Sequence, residues 1–149
     1  MNISPPWQGR RISWNIDYSN VKMMNESNYN FYTDGSRIEG KTGCGIVLFR
    51  GGEEIKSLSI RLNDDSSVFM AEAYAIKCAL MEAQRLNNLT LPIHIFTDSM
   101  SVLKSLEAVN DRFQLIRDIK TILQNLNFSF HWAKAHVGTY GNERADFLA

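Results

Sequence analysis

The sequence predicts an α/β domain with a five-stranded mixed sheet, in which three antiparallel strands are followed by two parallel ones and helices flank the sheet. In the first half, short β-branched and aromatic runs end at glycine-rich turns, which is typical of an antiparallel meander. In the second half, strand-like and helix-like segments alternate, as in sheets with helical connections. With 149 residues, 44% of them hydrophobic, the chain is long enough to bury one core.

The domain begins with three strand-like segments, and each ends at a turn or a polar segment. They are 30–34, which is broken by Gly35-Ser36; 43–49, which is closed by Gly51-Gly52; and 55–62, in which Leu58, Ile60 and Leu62 alternate with polar residues. Short connections of this kind join neighbouring antiparallel strands.

The remaining elements alternate in type. Ser66-Ser67 offers an N-cap to a helix over 68–86, which stops near Asn87-Asn88. The later segments are a strand over 91–97, a short helix through Val109 that Ser99 can cap, a helix over 112–125, a strand over 128–134, and a last helix from Asn142.

Residues 1–27 differ from the domain, which spans 28–149. They contain two of the three prolines and show no sustained periodicity. Trp7 and Trp14 leave two interpretations open: a leader docked on the domain, or a linker.

The composition of the chain limits the classes of function that it can have. Sixteen basic and sixteen acidic residues cancel, which argues mildly against strong non-specific nucleic-acid binding. No apolar run is long enough to span a bilayer, and the N-terminus has no secretory pattern. Cys44 and Cys78 are predicted to be free thiols, because no CxxC or Cys/His cluster accompanies them. We therefore expect an intracellular protein, in cytoplasm or nucleus, without a membrane partner.

Two aspartates stand where predicted strands end. Asp34 closes the first strand and Asp98 closes the fourth, just before a helix start. Side chains at the carboxyl ends of strands line the ligand crevice of α/β sheets. Taken singly, each aspartate also fits an ordinary capping residue.

Glu72 gives a stronger signal because it interrupts an apolar helix stripe. That stripe contains Val68, Ala75, Ala79, Ala83 and Leu86. A carboxylate that faces a core costs several kcal/mol unless it is paired, protonated or bound to a cation. Asp146, one turn after Asn142, would by itself be an ordinary exposed acid.

Several inward carboxylates predict a divalent cation site. Oxygen ligands favour Mg²⁺ or Mn²⁺ over zinc. Two such ions would support in-line displacement at phosphorus, one activating water and the other stabilising the leaving oxygen. His136, in a glycine-containing segment, could relay protons near neutral pH, or have no role. His94 and His131 lie in predicted strands and are expected to be structural.

These segments together resemble type 1 ribonuclease H, in order and spacing, from about Tyr29 to the C-terminus. The motifs that carry the resemblance are Tyr32-Thr33-Asp34-Gly35-Ser36, Ala71-Glu72-Ala73-Tyr74-Ala75-Ile76, Phe96-Thr97-Asp98-Ser99, His136, and Gly141-Asn142-Glu143-Arg144-Ala145-Asp146. Any one of them is weak, whereas five in order are specific.

The resemblance implies a ribonuclease H-like fold and a monomer that cuts the RNA strand of RNA–DNA hybrids, leaving 5′-phosphate and 3′-hydroxyl ends. It implies two Mg²⁺ ions, replaceable by Mn²⁺, and a loop histidine, His136, that aids water activation or product release. By the same resemblance the metal ligands are Asp34, Glu72, Asp98 and Asp146, and the substrate-binding residues are Gly35, Ser36, Ser99 and Asn142.

The stretch Val68-Phe69-Met70-Ala71-Glu72 and the leader with its prolines and tryptophans are similar to the ribonuclease H domains of non-LTR retrotransposon polyproteins, which follow a reverse transcriptase. The region between Asp98 and His136 is short and lacks a basic handle, in agreement with the neutral charge. A tethered polymerase would supply affinity through effective concentration. Val68 and Phe69 stand where many relatives have Asn or Gln, so recognition of 2′-hydroxyls would depend more on backbone amides or be weaker.

Parts of the sequence also suggest two rival functions. An aspartic protease needs Asp-Thr/Ser-Gly, whereas this chain has Asp34-Gly35-Ser36 and Asp98-Ser99-Met100, so the protease is excluded. The alternative that stays open is an inactive or domesticated ribonuclease H fold used for nucleic-acid or protein binding. The presence of all four carboxylates and His136 favours the enzyme.

Overall fold

One mixed sheet with helices packed on it forms the described part of the chain. The computed structural model describes residues 15–19, 29–86, 92–108, 113–133, 145 and 148–149. Within these residues the elements are β1 (Ile16–Asp17), β2 (Tyr29–Ile38), β3 (Lys41–Arg50), β4 (Glu53–Arg61), α1 (Val68–Arg85), β5 (Ile93–Thr97), α2 (Met100–Glu107), α3 (Gln114–Leu123) and β6 (Phe128–Trp132). None of these helices is both long and apolar enough to cross a membrane.

The sheet has the strand order β1-β6-β5-β2-β3-β4. Strands β2, β3 and β4 form an antiparallel meander, and β2, β5 and β6 pair in parallel. The prediction of three antiparallel strands followed by two parallel ones is confirmed. The count of five is wrong, because β1 adds a sixth strand parallel to β6 at the edge.

Strand β2 runs further than the sequence predicts. Gly35 and Ser36 do not end it; they pair with Cys44 and Gly43 in the ladder with β3. The chain reverses instead at Glu39 and Gly40, both of which have positive φ angles, 52° and 74°. Glycine adopts this left-handed conformation at no steric cost, so the turn forms there.

Helix α1 packs on the sheet through small side chains. The Ser67 side chain caps it by accepting from the Met70 amide at 3.1 Å. Its buried residues are Ala71, Ala73, Ala75, Ile76, Ala79, Leu80 and Ala83. The apolar stripe is therefore confirmed at its three alanines, but Val68 is 40% exposed because it lies in the first turn, outside the core.

The leader contributes an edge strand. The Phe130 amide donates to the Asn15 carbonyl at 2.8 Å, and the Asn15 side chain donates to the Ser129 hydroxyl at 2.7 Å. The Tyr18 hydroxyl donates to the Glu107 carboxylate of α2. Residues 15–19 are thus docked on the domain, whereas Trp7 and Trp14 lie outside the described residues.

Both cysteines are free, as predicted. Cys44 lies buried in the core on β3, and burial raises its pKa to about 12. Cys78 is half-buried on α1, and burial is the main reason that its pKa is also raised.

A histidine pair lies on the sheet face opposite to Ile93 and Ile95. His94 Nδ1 lies 2.9 Å from His131 Nε2, and His131 Nδ1 lies 3.8 Å from an Asp17 carboxylate oxygen. One neutral imidazole can donate to the other, so the pair is satisfied without a charge. Burial lowers the pKa of both rings, and Asp17 partly opposes this at His131. This placement agrees with the structural role expected from the sequence.

Because of this pair, we expect the protein to lose stability at acidic pH. Both folded-state pKa values lie below the ordinary 6.5. As the pH falls below that value, the unfolded chain takes up protons first, so the free energy of unfolding decreases until the folded pKa values are reached. In His94→Gln the amide still pairs with His131 but does not titrate. Urea unfolding measures how much the free energy of unfolding decreases from pH 7 to pH 5. This decrease should be smaller in the variant than in the parent by on the order of 0.5 kcal/mol. Equal losses in parent and variant would contradict this role.

Candidate active site

Two neighbouring parallel strands bring the predicted aspartates together. In the ladder between β2 and β5, Thr33 lies opposite Thr97. One residue further along each strand places Asp34 beside Asp98. Asp34 is only 9% exposed and lies within β2, whereas Asp98 directly follows the end of β5. The register of the sheet therefore fixes the spacing of these two carboxylates.

Helix α1 brings the third carboxylate against β2. The close approach depends on Gly35, where a Cβ atom would lie 2.6 Å from the Glu72 amide nitrogen and 2.9 Å from the Ala71 carbonyl carbon. Only a residue without a side chain lets the helix backbone come so near. Glu72 thereby lies next to the residue that follows Asp34.

Asp34, Glu72 and Asp98 form a cluster in which one carboxylate oxygen from each residue lies within 4.8 Å of the others. Burial raises the pKa of Glu72 to about 7, with the nearby charge of Asp98 adding to the shift and a hydrogen bond from Ser99 opposing it. Crowded carboxylates that favour protonation in this way are suited to a divalent cation, which removes their mutual repulsion.

The turn after β5 orders the cluster. The Ser99 amide donates to the Thr97 hydroxyl at 3.1 Å, and the Ser99 hydroxyl caps α2 by accepting from the Val102 amide at 3.3 Å. On β2, the Gly35 amide donates to Asp34 Oδ1 at 2.9 Å, while Ser36 is half-buried. Three of the predicted substrate-binding residues, Gly35, Ser36 and Ser99, therefore lie next to the carboxylates along the chain.

Three predicted site residues, His136, Asn142 and Asp146, lie outside the described residues. The last helix is represented by Ala145 and Leu148, which are helical. Ala145 is buried against β3, where a Cβ atom added to Gly45 would lie 2.3 Å from its carbonyl oxygen.

Sequence reasoning missed Trp132. Its indole N–H donates to the Asp98 carbonyl oxygen at 3.3 Å. No local pattern indicates this contact, since it joins residues 34 positions apart through the pairing of β5 with β6. The Thr97-Asp98-Ser99 order does carry a signal for the neighbouring turn, because Thr and Ser side chains commonly bond to backbone amides two or three residues away.

The raised pKa of Glu72 predicts a pH-dependent effect of Glu72→Gln on the metal-free protein. A carboxyl whose folded pKa of about 7 exceeds its ordinary 4.5 contributes stability below pH 4.5, and this is lost as the pH rises through 7. At pH 8 the free energy of unfolding of the variant should therefore exceed that of the parent by on the order of 1 kcal/mol, which raises its unfolding temperature. The difference should vanish near pH 4.5.

The matched control is Glu82→Gln on the same helix. Glu82 pairs with Lys56 and Arg85, each at 2.7 Å, so its neutralisation should lower stability slightly. If Glu72→Gln behaved like this control at pH 8, Glu72 would not be destabilised by ionisation. Thermal unfolding in the presence of a chelator makes the measurement.

A mixed sheet that carries a carboxylate cluster on two neighbouring parallel strands, within reach of a packed helix, is an arrangement that could hold a divalent cation. The family model for RNase H matches residues 26–149, and the chain belongs to the ribonuclease H family. It is therefore a ribonuclease H, a class of enzyme that acts on RNA–DNA hybrids and generally uses divalent metal ions.

Individual relatives agree with this membership. The chain is 29% identical over 139 residues to a ribonuclease H of Orientia tsutsugamushi (strain Boryong), and the match covers 79% of this chain and 77% of the relative. The N-terminal RNase H domain of a Mycobacterium tuberculosis protein shares the fold, with a TM-score of 0.67 and 17% identity over 82% of this chain and 95% of that one. For RNase H1 of Halobacterium salinarum the TM-score is 0.66, with 23% identity over 82% and 94%.

Proposed function

We propose that this chain is an endonuclease that hydrolyses the RNA strand of RNA–DNA hybrids with two Mg²⁺ ions, which Mn²⁺ can replace. The observation that supports this most is the convergence of Asp34, Glu72 and Asp98 within 4.8 Å. An all-oxygen donor set suits hard cations. The raised pKa of Glu72 fits as well, because it marks a carboxylate that gains from a nearby positive charge.

The residues of the chain supply fixed positions for this chemistry. When bound, two such ions supply an activated water and stabilise the leaving oxygen, which would leave 5′-phosphate and 3′-hydroxyl ends. Asp34 and Asp98 are held by adjacent strands, and Glu72 is held by α1 against Gly35. Because packed backbone sets their spacing, the ligands need little rearrangement before reaction.

Two further residues complete the proposed machinery. Asp146 would be the fourth metal ligand, and His136 would move a proton during water activation or product release. Gly35, Ser36, Ser99 and Asn142 would contact the hybrid. With Val68 and Phe69 at the start of α1, backbone amides would distinguish the 2′-hydroxyls.

The natural setting that we propose is the polyprotein of a non-LTR retrotransposon, inside the cell. The domain would act as a monomer, tethered to a reverse transcriptase that works on the same hybrid. The net charge of zero supports this setting, since a domain with little electrostatic affinity gains most from a high effective substrate concentration.

Cleavage of an end-labelled RNA–DNA hybrid tests the proposal. The full chain is assayed at low salt with Mg²⁺, with Mn²⁺ and with a chelator, beside DNA–DNA and RNA–RNA duplexes of the same sequence. We expect metal-dependent cutting of the RNA strand in the hybrid alone, with 5′-phosphate and 3′-hydroxyl ends. His136→Ala should slow turnover without eliminating it, and an unchanged rate at saturating substrate would remove its proposed role.

The same assay decides the alternative. If the chain, folded by circular dichroism, binds the hybrid in a gel-shift assay but cuts nothing with either metal, it is a binding domain that has kept the fold. Cutting of DNA–DNA as fast as of the hybrid would overturn the substrate class.

A further inference from the structure

The contact between Trp132 and Asp98 lies where the parallel ladder ends. Thr97 and Trp132 are the last paired residues of β5 and β6, and the Ala133 amide donates to the Thr97 carbonyl at 2.8 Å. Asp98 is the next residue and follows the last paired position of β5. The half-buried Trp132 side chain binds this residue, since its indole N–H donates to the Asp98 carbonyl at 3.3 Å.

This carbonyl accepts a second hydrogen bond, from the Met100 amide at 3.1 Å. Two donors from different elements therefore hold the carbonyl of the peptide between Asp98 and Ser99, and the amide of the same peptide donates to the Thr97 hydroxyl. On one side of that peptide is the Asp98 carboxylate, and on the other is the hydroxyl that bonds to Glu72. A change in this peptide would alter the backbone that carries both groups.

We propose that Trp132 is a positioning residue of the metal site: its indole N–H fixes the 98–99 peptide and so sets where the Asp98 carboxylate meets a divalent cation. The inference rests on the proposed metal role of the carboxylates. Groups that orient metal ligands commonly contribute 10- to 100-fold to metal affinity or activity. Since Trp132 acts through the backbone of its ligand, we expect an effect of about 10-fold, the lower end of that range.

The sharpest test removes the donor and keeps the ring. Site-specific incorporation of 3-benzothienylalanine at position 132 replaces the indole N–H by sulfur with almost unchanged shape. Mn²⁺ binding to the protein without nucleic acid is followed by electron paramagnetic resonance. We expect about 10-fold weaker Mn²⁺ binding than in the parent, with a nearly unchanged unfolding temperature under chelator.

Catalysis gives a second readout. The variant should need more Mg²⁺ for half-maximal cleavage, whereas KM for the hybrid stays the same at saturating metal. Trp132→Phe, which lacks the donor and is smaller, should show the same loss of Mn²⁺ affinity with some added loss of stability. Hydrogen exchange of the indole N–H, assigned by comparison with Trp132→Phe, should be slow in the parent because that proton is bonded.

Phe128→Leu is the matched control, since Phe128 lies on the same strand, packs against Phe130 and pairs with Ile93, at the opposite end of the ladder from Thr97 and Asp98. It should lower stability and leave Mn²⁺ affinity unchanged. The proposal is overturned if the benzothienyl variant binds Mn²⁺ as tightly as the parent, or if Phe128→Leu weakens binding equally. A parent that binds Mn²⁺ but cuts no hybrid would defeat the proposed function alone, because metal affinity still decides the role of Trp132.

Discussion

Asp34→Asn is expected to abolish hybrid cleavage while the fold stays intact. Removing one charged ligand from a cluster that spans 4.8 Å should cost about 10³-fold or more in rate, because the remaining carboxylates no longer balance the proposed ions. The fold is spared because the asparagine side-chain oxygen can still accept the hydrogen bond from the Gly35 amide. Single-turnover cleavage at saturating Mg²⁺ measures the rate, and circular dichroism checks the fold.

The same substitution should stabilise the metal-free protein. Asp34 is nearly buried beside two other carboxylates, so its neutralisation relieves repulsion by roughly 1 kcal/mol at pH 8. Asp64→Asn is the control, since Asp64 is exposed and pairs with Arg61 at 3.0 Å. It should leave both rate and stability nearly unchanged. A variant at position 34 that cuts like the parent would show that the cluster is not the metal site.

Much of the fold follows from local pattern, because each of the main strands and helices carries its own periodicity and stop signals. The edge strand β1 does not, since two residues of an otherwise irregular leader give no alternation to detect. Its pairing depends on β6, more than a hundred residues away. The sequence predicts an end of β2 that is too early for a related reason: glycine occurs both at turns and at close contacts, and Gly35 lies at a close contact with α1.

The candidate site, like the fold, can be predicted from the sequence only in part. The positions of Asp34 and Asp98 after β-type segments, and of Glu72 on an apolar helix face, predict that these carboxylates converge, and the structure brings all three together. What the sequence does not show is how they are held. The opposition of Thr33 and Thr97, the contact of Ser99 with Glu72 and the bond from Trp132 depend on sheet register, which no local pattern specifies.

Gly35→Ala should be the most damaging small substitution near the site. The added methyl group would lie 2.6 Å from the Glu72 amide nitrogen and 2.7 Å from its Cγ atom, so α1 must move away from β2. Overpacking of this kind costs about 1–3 kcal/mol. A displacement of Glu72 by about 1 Å would lower the cleavage rate by about 10²-fold. Urea unfolding and single-turnover cleavage, both well below the unfolding temperature, measure the two effects.

Gly51→Ala separates loss of stability from loss of geometry. Gly51 has a φ angle of 61°, so alanine is strained there, but an added Cβ meets nothing within 4 Å. Its cost, about 1 kcal/mol, arises at the turn between β3 and β4, remote from the carboxylates. If Gly51→Ala kept the parent rate while Gly35→Ala lost it, the approach of α1 to β2 would be what sets the ligand spacing. Equal rates in the two variants would mean that Glu72 finds its place without that contact.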